Sequence, residues 1–194
     1  MENKRLLEIV EKANKLAQKV SSKDDEIYVN LDKIVDYLEE DKNCEINITT
    51  IDIKNFAISV DNKDLLNADG FIFSNLPNKG NKKKYFIGVN ETNSNRFKRF
   101  ALAHELGHLY LGHQDYDNMN GFKVSAHIAY SLSTEDGNNE EQEANAFALA
   151  LLMPTSSFTV SYKYFDSIRK LSFIYRVSEE AVMERIKILS NLGV

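Results

Sequence analysis

Hydrophobic residues recur every three or four positions through the first twenty residues, with lysine, glutamate and asparagine between them. This spacing places the apolar side chains on one face and predicts an amphipathic helix. The polar segment 21–25 interrupts the pattern. Asn30 is suited to cap a second, shorter helix that carries apolar residues from Leu31 to Leu38 on one side. The chain therefore opens with two helices.

Between Cys44 and Val89 the pattern changes to short runs of β-branched and aromatic residues, which favour strands. The predicted strands fall around 46–51, 56–60, 70–73 and 84–89. Residues 75–83 are rich in turn formers and predict a loop or a hairpin end. The adjacent lysines, Lys82–Lys84, are more typical of a solvated loop tip than of a nucleic-acid site.

Helical spacing returns after Asn90. Asn93 or Ser94 can cap a helix that runs to Leu111, and Gly112 suits its C-terminal end. Residues 140–153 predict another helix, acidic at its start as a helix N-terminus prefers, and Pro154 prevents its simple continuation. Two shorter helices are predicted at 167–175 and 179–189, the second capped by Ser178.

Composition and charge narrow the class of protein. The chain has 194 residues, 43% hydrophobic and 27% charged, which is typical of a globular domain. A net charge of −5 argues against a general nucleic-acid binder, and a single cysteine excludes an internal disulfide. The N-terminus does not resemble a signal peptide, and the longest apolar run is too short for a bilayer. We therefore expect a cytoplasmic protein.

The helix ending at Leu111 contains a His-Glu-x-x-His sequence, with histidines at 104 and 108 and a glutamate at 105. Two histidines four residues apart lie on one face of a helix and can share one ion, and the glutamate can reach a metal-bound water. Zinc would suit these ligands, but a catalytic site needs a third one. A buried helix whose histidines bond backbone carbonyls is the alternative interpretation.

The third ligand must come from elsewhere in the chain. Position 114 is glutamine, so a third histidine at the metzincin spacing is excluded. A carboxylate on a later helix remains, and the acidic helix start offers Glu140, Glu141 and Glu143. Glu141 and Asn145 share a helix face, and Ala144 is small enough for that face to approach another helix. Glu140 and Glu143 are interpreted as ordinary acidic residues of a helix start.

Two separated motifs carry a resemblance to a known family. The sequence RFKRFALAHELGHL at 96–109 and the sequence EQEANAFALALLMP at 141–154 resemble the two motif helices of the ImmA/IrrE metallopeptidases. Weaker similarity reaches upstream to the helix at Leu31 and downstream to Arg185. The stretch 113–139 follows no pattern of that family.

The resemblance implies an α+β, zincin-like metallopeptidase domain with a small mixed or antiparallel sheet, an HExxH helix and a C-terminal helical extension. We expect residues 1–160 to form the metallopeptidase domain and 161–194 a helix-turn-helix-like subdomain packed on it. The resemblance also implies a zinc ion (Zn2+) held by His104, His108 and Glu141, with Glu105 as the catalytic base. The activity implied is cleavage of peptide bonds by zinc-activated water.

Relatives of this kind cleave or inactivate helix-turn-helix repressors of the XRE type, so the resemblance also implies a role in transcriptional regulation or stress response. Further roles are expected for residues around the site. Asn145 is expected to orient a histidine ligand, and the strand 84–89, if it is an edge, to pair with substrate. His113 is interpreted as a cap or a surface residue. Candidates for substrate or oxyanion contacts are Tyr116, His127 and Tyr130.

Three other functions stay open at this point. The protein could be a non-catalytic regulator that uses the same fold to bind a repressor or stress partner, or a structural domain without metal. It could also act on DNA through its C-terminal helices, although Glu179, Glu180 and Glu184 make these poor DNA readers. We expect no direct nucleic-acid partner and no membrane partner, and the sequence leaves the oligomeric state open.

Overall fold

The protein is described from a computed structural model, which describes residues 1–21, 27–74, 82–113, 123–126 and 139–194. In these ranges the chain forms eight α-helices, four strands and one short 3₁₀ helix. The α-helices are α1 (Asn3–Val20), α2 (Leu31–Lys42), α3 (Ile53–Ser59), α4 (Asn95–Leu111), α5 (Asn139–Leu152), α6 (Thr155–Phe165), α7 (Ile168–Tyr175) and α8 (Glu179–Asn191). The strands are β1 (Cys44–Ile51), β2 (Ala68–Ser74), β3 (Lys83–Asn90) and β4 (Lys123–Ala126), and the 3₁₀ helix is Lys63–Asn67.

The chain divides into two compact units. One comprises Met1–Ile34 and Ala129–Val194, and the other comprises Val35–Ile128. The predicted boundary at residue 160 is a different division of the chain, and it stays a prediction. Among the described residues, none of the helices combines the length and the hydrophobicity that crossing a bilayer requires.

The first unit is helical and is organised around α5, whose residues from Ala144 to Leu152 are all buried. Helices α1 and α8 both contact α5. The apolar face predicted for α1 is the face it buries, from Leu6 to Ala17. At the start of α5 the guanidinium of Arg5 donates two hydrogen bonds to the Glu143 carboxylate, at 2.8 and 2.5 Å. These bonds raise the pKa of Arg5 and attach α1 to α5.

Helix α6 was not predicted from the sequence. Its residues are rich in serine, threonine and aromatic side chains, which have low helix propensity, so the segment carries a weak helical signal. Pro154, expected only to end the preceding helix, serves as the N-cap of α6 with φ −55°, within the range that the proline ring imposes. The fully buried Arg185 of α8 donates to the Met153 carbonyl at 3.0 Å and to Thr155 Oγ1 at 2.7 Å. The junction of α5 and α6 is thereby bound to α8.

The second unit contains a mixed four-stranded sheet in the order β1-β3-β2-β4. Strand β1 pairs with β3 in parallel, whereas β2 pairs antiparallel with both β3 and β4. The α+β class with a small mixed sheet is therefore confirmed. Substrate pairing by the strand at 84–89 was expected only if that strand is an edge, and β3 has neighbours on both sides. Its main-chain groups are engaged in the sheet and cannot pair with a substrate.

The strand predicted at 56–60 is also wrong, because residues 53–59 form α3. Asp52 caps this helix, since its side chain accepts a hydrogen bond from the Asn55 N–H at 3.0 Å. Ile53 and Ala57, four residues apart, are buried on one face of it. They join Leu65, Ala68 and Phe71 in a hydrophobic cluster beside the sheet. Helical spacing thus decided the outcome over the β propensity of the individual residues.

Candidate metal centre

Helix α4 lies on β2 and β3 and begins where the sequence predicts. Ser94 is its N-cap, with its hydroxyl accepting a hydrogen bond from the Phe97 N–H at 3.4 Å. From Phe100 to Leu109 almost every side chain is buried. The buried set includes His104, Glu105 and His108, of which 2%, 1% and 1% of the surface is exposed. Helix α4 therefore carries three ionisable side chains that are almost completely buried.

The two histidines face one another through the same ring atom. His104 Nε2 lies 3.0 Å from His108 Nε2, and the ring planes are inclined at 74°. Two nitrogens bound to one zinc ion at about 2.0–2.1 Å each must lie within roughly 4 Å of each other. The observed separation fits a shared ion, with Nε2 of each ring as the candidate ligand atom.

A third histidine, His113, contacts His108 at the edge of its ring that is remote from His104. His113 Nδ1 is 3.1 Å from His108 Nδ1, and only 9% of the His113 surface is exposed. Gly112 makes this possible, because its left-handed conformation (φ 73°, ψ 35°) ends α4 and turns the chain back. The N–H groups of Gly112 and His113 both donate to the His108 carbonyl, at 3.1 and 3.2 Å. The main chain of His113 does cap the helix, but its side chain is not a surface group.

Glu105 contacts the sheet at a glycine. A Cβ atom on Gly70 of β2 would lie 3.1 Å from Glu105 Oε1 and 3.3 Å from the Gly88 carbonyl oxygen. Both distances are tighter than ordinary van der Waals contact, so a side chain at position 70 would press on the carboxylate. An isolated glycine in a strand pattern often marks such a close approach. The isolated Gly70 in the sequence is such a signal, but the sequence does not identify Glu105 as the group that approaches it.

Glu141 belongs to a group of side chains that could hold a metal ion. It lies in the first turn of α5, and its carboxylate and the two histidine rings form a group whose ligand atoms all lie within 4.8 Å of one another. Glu143 is engaged with Arg5 instead, as its interpretation outside the site requires. Asn145 is buried one turn after Glu141, with 3% of its surface exposed. Its predicted contact with a histidine ligand stays a prediction.

The donor set fits zinc. Two neutral imidazole nitrogens and one carboxylate oxygen are the ligands of several catalytic zinc sites, which keep a fourth position for water or substrate. Of these three residues the two histidines are buried and Glu141 is partly exposed. The remaining candidates for substrate contacts, Tyr116, His127 and Tyr130, lie outside the described residues.

An α+β domain with a helical His-Glu-x-x-His sequence and a glutamate ligand on a later helix is the arrangement of a zincin-like metallopeptidase. The comparison with protein families agrees. The model of the IrrE N-terminal-like domain, Peptidase_M78, matches residues 46–187, well over half of the chain. The chain therefore belongs to this peptidase family, and the resemblance read from its two motifs is confirmed. A search of curated proteins gave no significant match.

Proposed function

We propose that the protein is a zinc-dependent endopeptidase in which His104, His108 and Glu141 hold the metal and Glu105 is the general base. One observation carries the proposal. On helix α4 the buried carboxylate of Glu105 accompanies two histidines whose Nε2 atoms lie 3.0 Å apart. The carboxylate of Glu141 belongs to the same group of side chains as these histidines. Burying ionisable groups costs free energy unless a partner compensates. A divalent cation bound by these groups would contribute to that compensation.

The ion would supply the electrophilic part of the chemistry: bound at these three residues, zinc would polarise a peptide carbonyl and lower the pKa of water toward about 7. Glu105 performs the proton transfers. Its carboxylate takes a proton from the attacking water and delivers it to the nitrogen of the leaving amine as the C–N bond breaks. The absence of a side chain at Gly70 leaves space for the carboxylate at this position.

Asn145 is proposed to orient the site from α5. A buried amide one turn from the glutamate ligand can hydrogen-bond the outer nitrogen of a metal-binding imidazole. Such a bond selects the tautomer that leaves the other nitrogen available for the ion. What supports this role is the burial of Asn145 and its helical spacing from Glu141.

The substrate proposed is a helix-turn-helix repressor of the XRE type, cleaved in the cytoplasm as part of transcriptional regulation or a stress response. Support for this comes from the resemblance to the ImmA/IrrE family. The C-terminal helices α7 and α8 are proposed to serve packing or partner recognition rather than DNA binding, since the exposed start of α8 is acidic.

The direct test is incubation of the purified, zinc-loaded protein with a helix-turn-helix repressor of the XRE type, followed by mass spectrometry of the products. Glu105→Gln should abolish cleavage while zinc stays bound, because the amide cannot accept the proton. Glu141→Ala should lose zinc. If Glu105→Gln cleaves normally, the base is assigned wrongly. If it cleaves nothing yet still relieves repression in cells, the protein acts by binding its partner.

A further inference from the structure

We propose that His113 is a positioning residue for the metal centre, accepting a hydrogen bond from the Nδ1–H of His108 and so fixing that ligand's tautomer. The inference rests on the proposed zinc site and adds a residue to it. Neither the two motifs nor the interpretation of the sequence assigned His113 a part in the chemistry.

Both ring nitrogens of His108 lie close to another histidine. Its Nε2 faces the Nε2 of His104 at 3.0 Å, and its Nδ1 faces the Nδ1 of His113 at 3.1 Å. A neutral imidazole carries one N–H, and its other nitrogen has the lone pair that a metal needs. With the metal on the Nε2 side, the proton must be on Nδ1. The Nδ1 of His113 must then be the acceptor.

The same geometry excludes His113 as a ligand of this ion. His113 contacts the edge of the His108 ring that is remote from His104, with the two ring planes inclined at 76°. An ion shared by the Nε2 atoms of His104 and His108 lies on the other side of the His108 ring. A histidine following the HExxH sequence at close spacing could be mistaken for the third ligand, but here it lies behind the second one.

The turn at Gly112 holds His113 in this place. Two main-chain hydrogen bonds to the His108 carbonyl fix the segment to the last turn of α4, and a φ of 73° at Gly112 gives the reversal that they require. The main chain therefore fixes the position of the His113 backbone at the end of α4. Hydrogen bonds from metal-binding histidines to an outer acceptor typically change metal affinity by about 10- to 100-fold.

The test compares two substitutions of similar size. His113→Asn keeps an acceptor near the position of Nδ1, whereas His113→Leu fills the space without one. Zinc affinity is measured by competition with a chromophoric chelator, in the absence of any substrate. We expect His113→Leu to bind zinc about 10- to 100-fold more weakly than the wild type and His113→Asn to recover most of the loss. Equal affinity of His113→Leu and the wild type would overturn the proposal, as would an equal loss in both variants.

A second measurement needs no variant. Long-range ¹H–¹⁵N spectra of the zinc-loaded wild type should show His108 protonated at Nδ1 and His113 protonated at Nε2. Zinc on the Nδ1 of His108, a proton on the Nδ1 of His113, or no zinc binding at all would refute the inference. Zinc binding with the expected spectrum but without proteolysis would leave this inference standing and refute only the peptidase proposal.

Discussion

Helices α1 and α4 are almost equal in length, with 18 and 17 residues, yet they are buried in different ways. Helix α1 buries one stripe of apolar side chains and exposes the rest. Helix α4 buries nearly all of its middle, including His104, Glu105 and His108. A one-sided apolar stripe contributes stability. Burying ionisable side chains lowers the stability of a fold. Their presence at buried positions of a helix therefore indicates a chemical function.

The largest expected effect sharpens this contrast from the side of α4. Glu105→Gln should lower the rate of cleavage by about 10²- to 10⁴-fold, the contribution typical of a positioned general base. The amide is almost isosteric with the carboxylate, so the free energy of unfolding should not fall. Steady-state kinetics and thermal unfolding of the zinc-loaded variant check both. A stable variant with unchanged kinetics would remove the functional reason for the buried carboxylate.

The corresponding change in α1 should affect stability alone. Ile9 is fully buried, with 0% of its surface exposed, so Ile9→Ala should lower the free energy of unfolding by about 2–5 kcal/mol. Leu7 on the same helix is 44% exposed and provides the matched control. Leu7→Ala should change stability by about 0.5 kcal/mol or less. Denaturant unfolding measures both losses. If the two substitutions lowered the free energy of unfolding equally, the buried apolar stripe would not be the source of the stability that α1 provides.

A smaller effect is expected where the sheet meets α4. In Gly70→Ala the new Cβ would crowd Glu105 Oε1 at 3.1 Å. A displacement of a few tenths of an ångström should lower kcat by about tenfold, since catalysis depends on the position of the reacting groups. Zinc affinity should stay unchanged, because the atoms nearest to the new Cβ belong to Glu105 and to the main chain of Gly88, and neither histidine is among them. Unchanged kcat would mean that the carboxylate adapts without consequence.

The smallest effect belongs to the end of α4. A Cβ on Gly112 would meet nothing within 4 Å, so the penalty of Gly112→Ala comes from its φ of 73° alone. We expect a loss of about 1 kcal/mol in the free energy of unfolding. Gly112→Asn, which tolerates the left-handed conformation better, should lose less. A rise in stability in the alanine variant would contradict the left-handed assignment.

Local signals in the sequence were sufficient for much of the fold. The helical spacing in α1, the caps Ser94 and Ser178, and the terminating Gly112 all lie where the pattern predicts them. Each depends on residues within a few positions of one another. The two segments that were misjudged, α3 and α6, have compositions that favour other conformations, so local propensity was misleading there.

The site divides in the same way. The HExxH sequence was recognisable because helix periodicity alone brings its histidines together. The contacts of His113 and Gly70 depend on a chain reversal and on the packing of a strand against a helix, neither of which follows from spacing. The order of the strands is also a long-range property. The sequence therefore left open whether β3 is an edge, and the structure places it in the interior of the sheet.

His104, His108 and Glu141 are proposed to hold a zinc ion. The most direct measurement is X-ray diffraction from crystals of the zinc-loaded protein, collected on both sides of the zinc absorption edge. We expect one anomalous peak bounded by the Nε2 atoms of the two histidines and the Glu141 carboxylate, with His113 on the side of the His108 ring remote from His104. A peak bounded by His113 instead of Glu141, or no peak at this group, would contradict it.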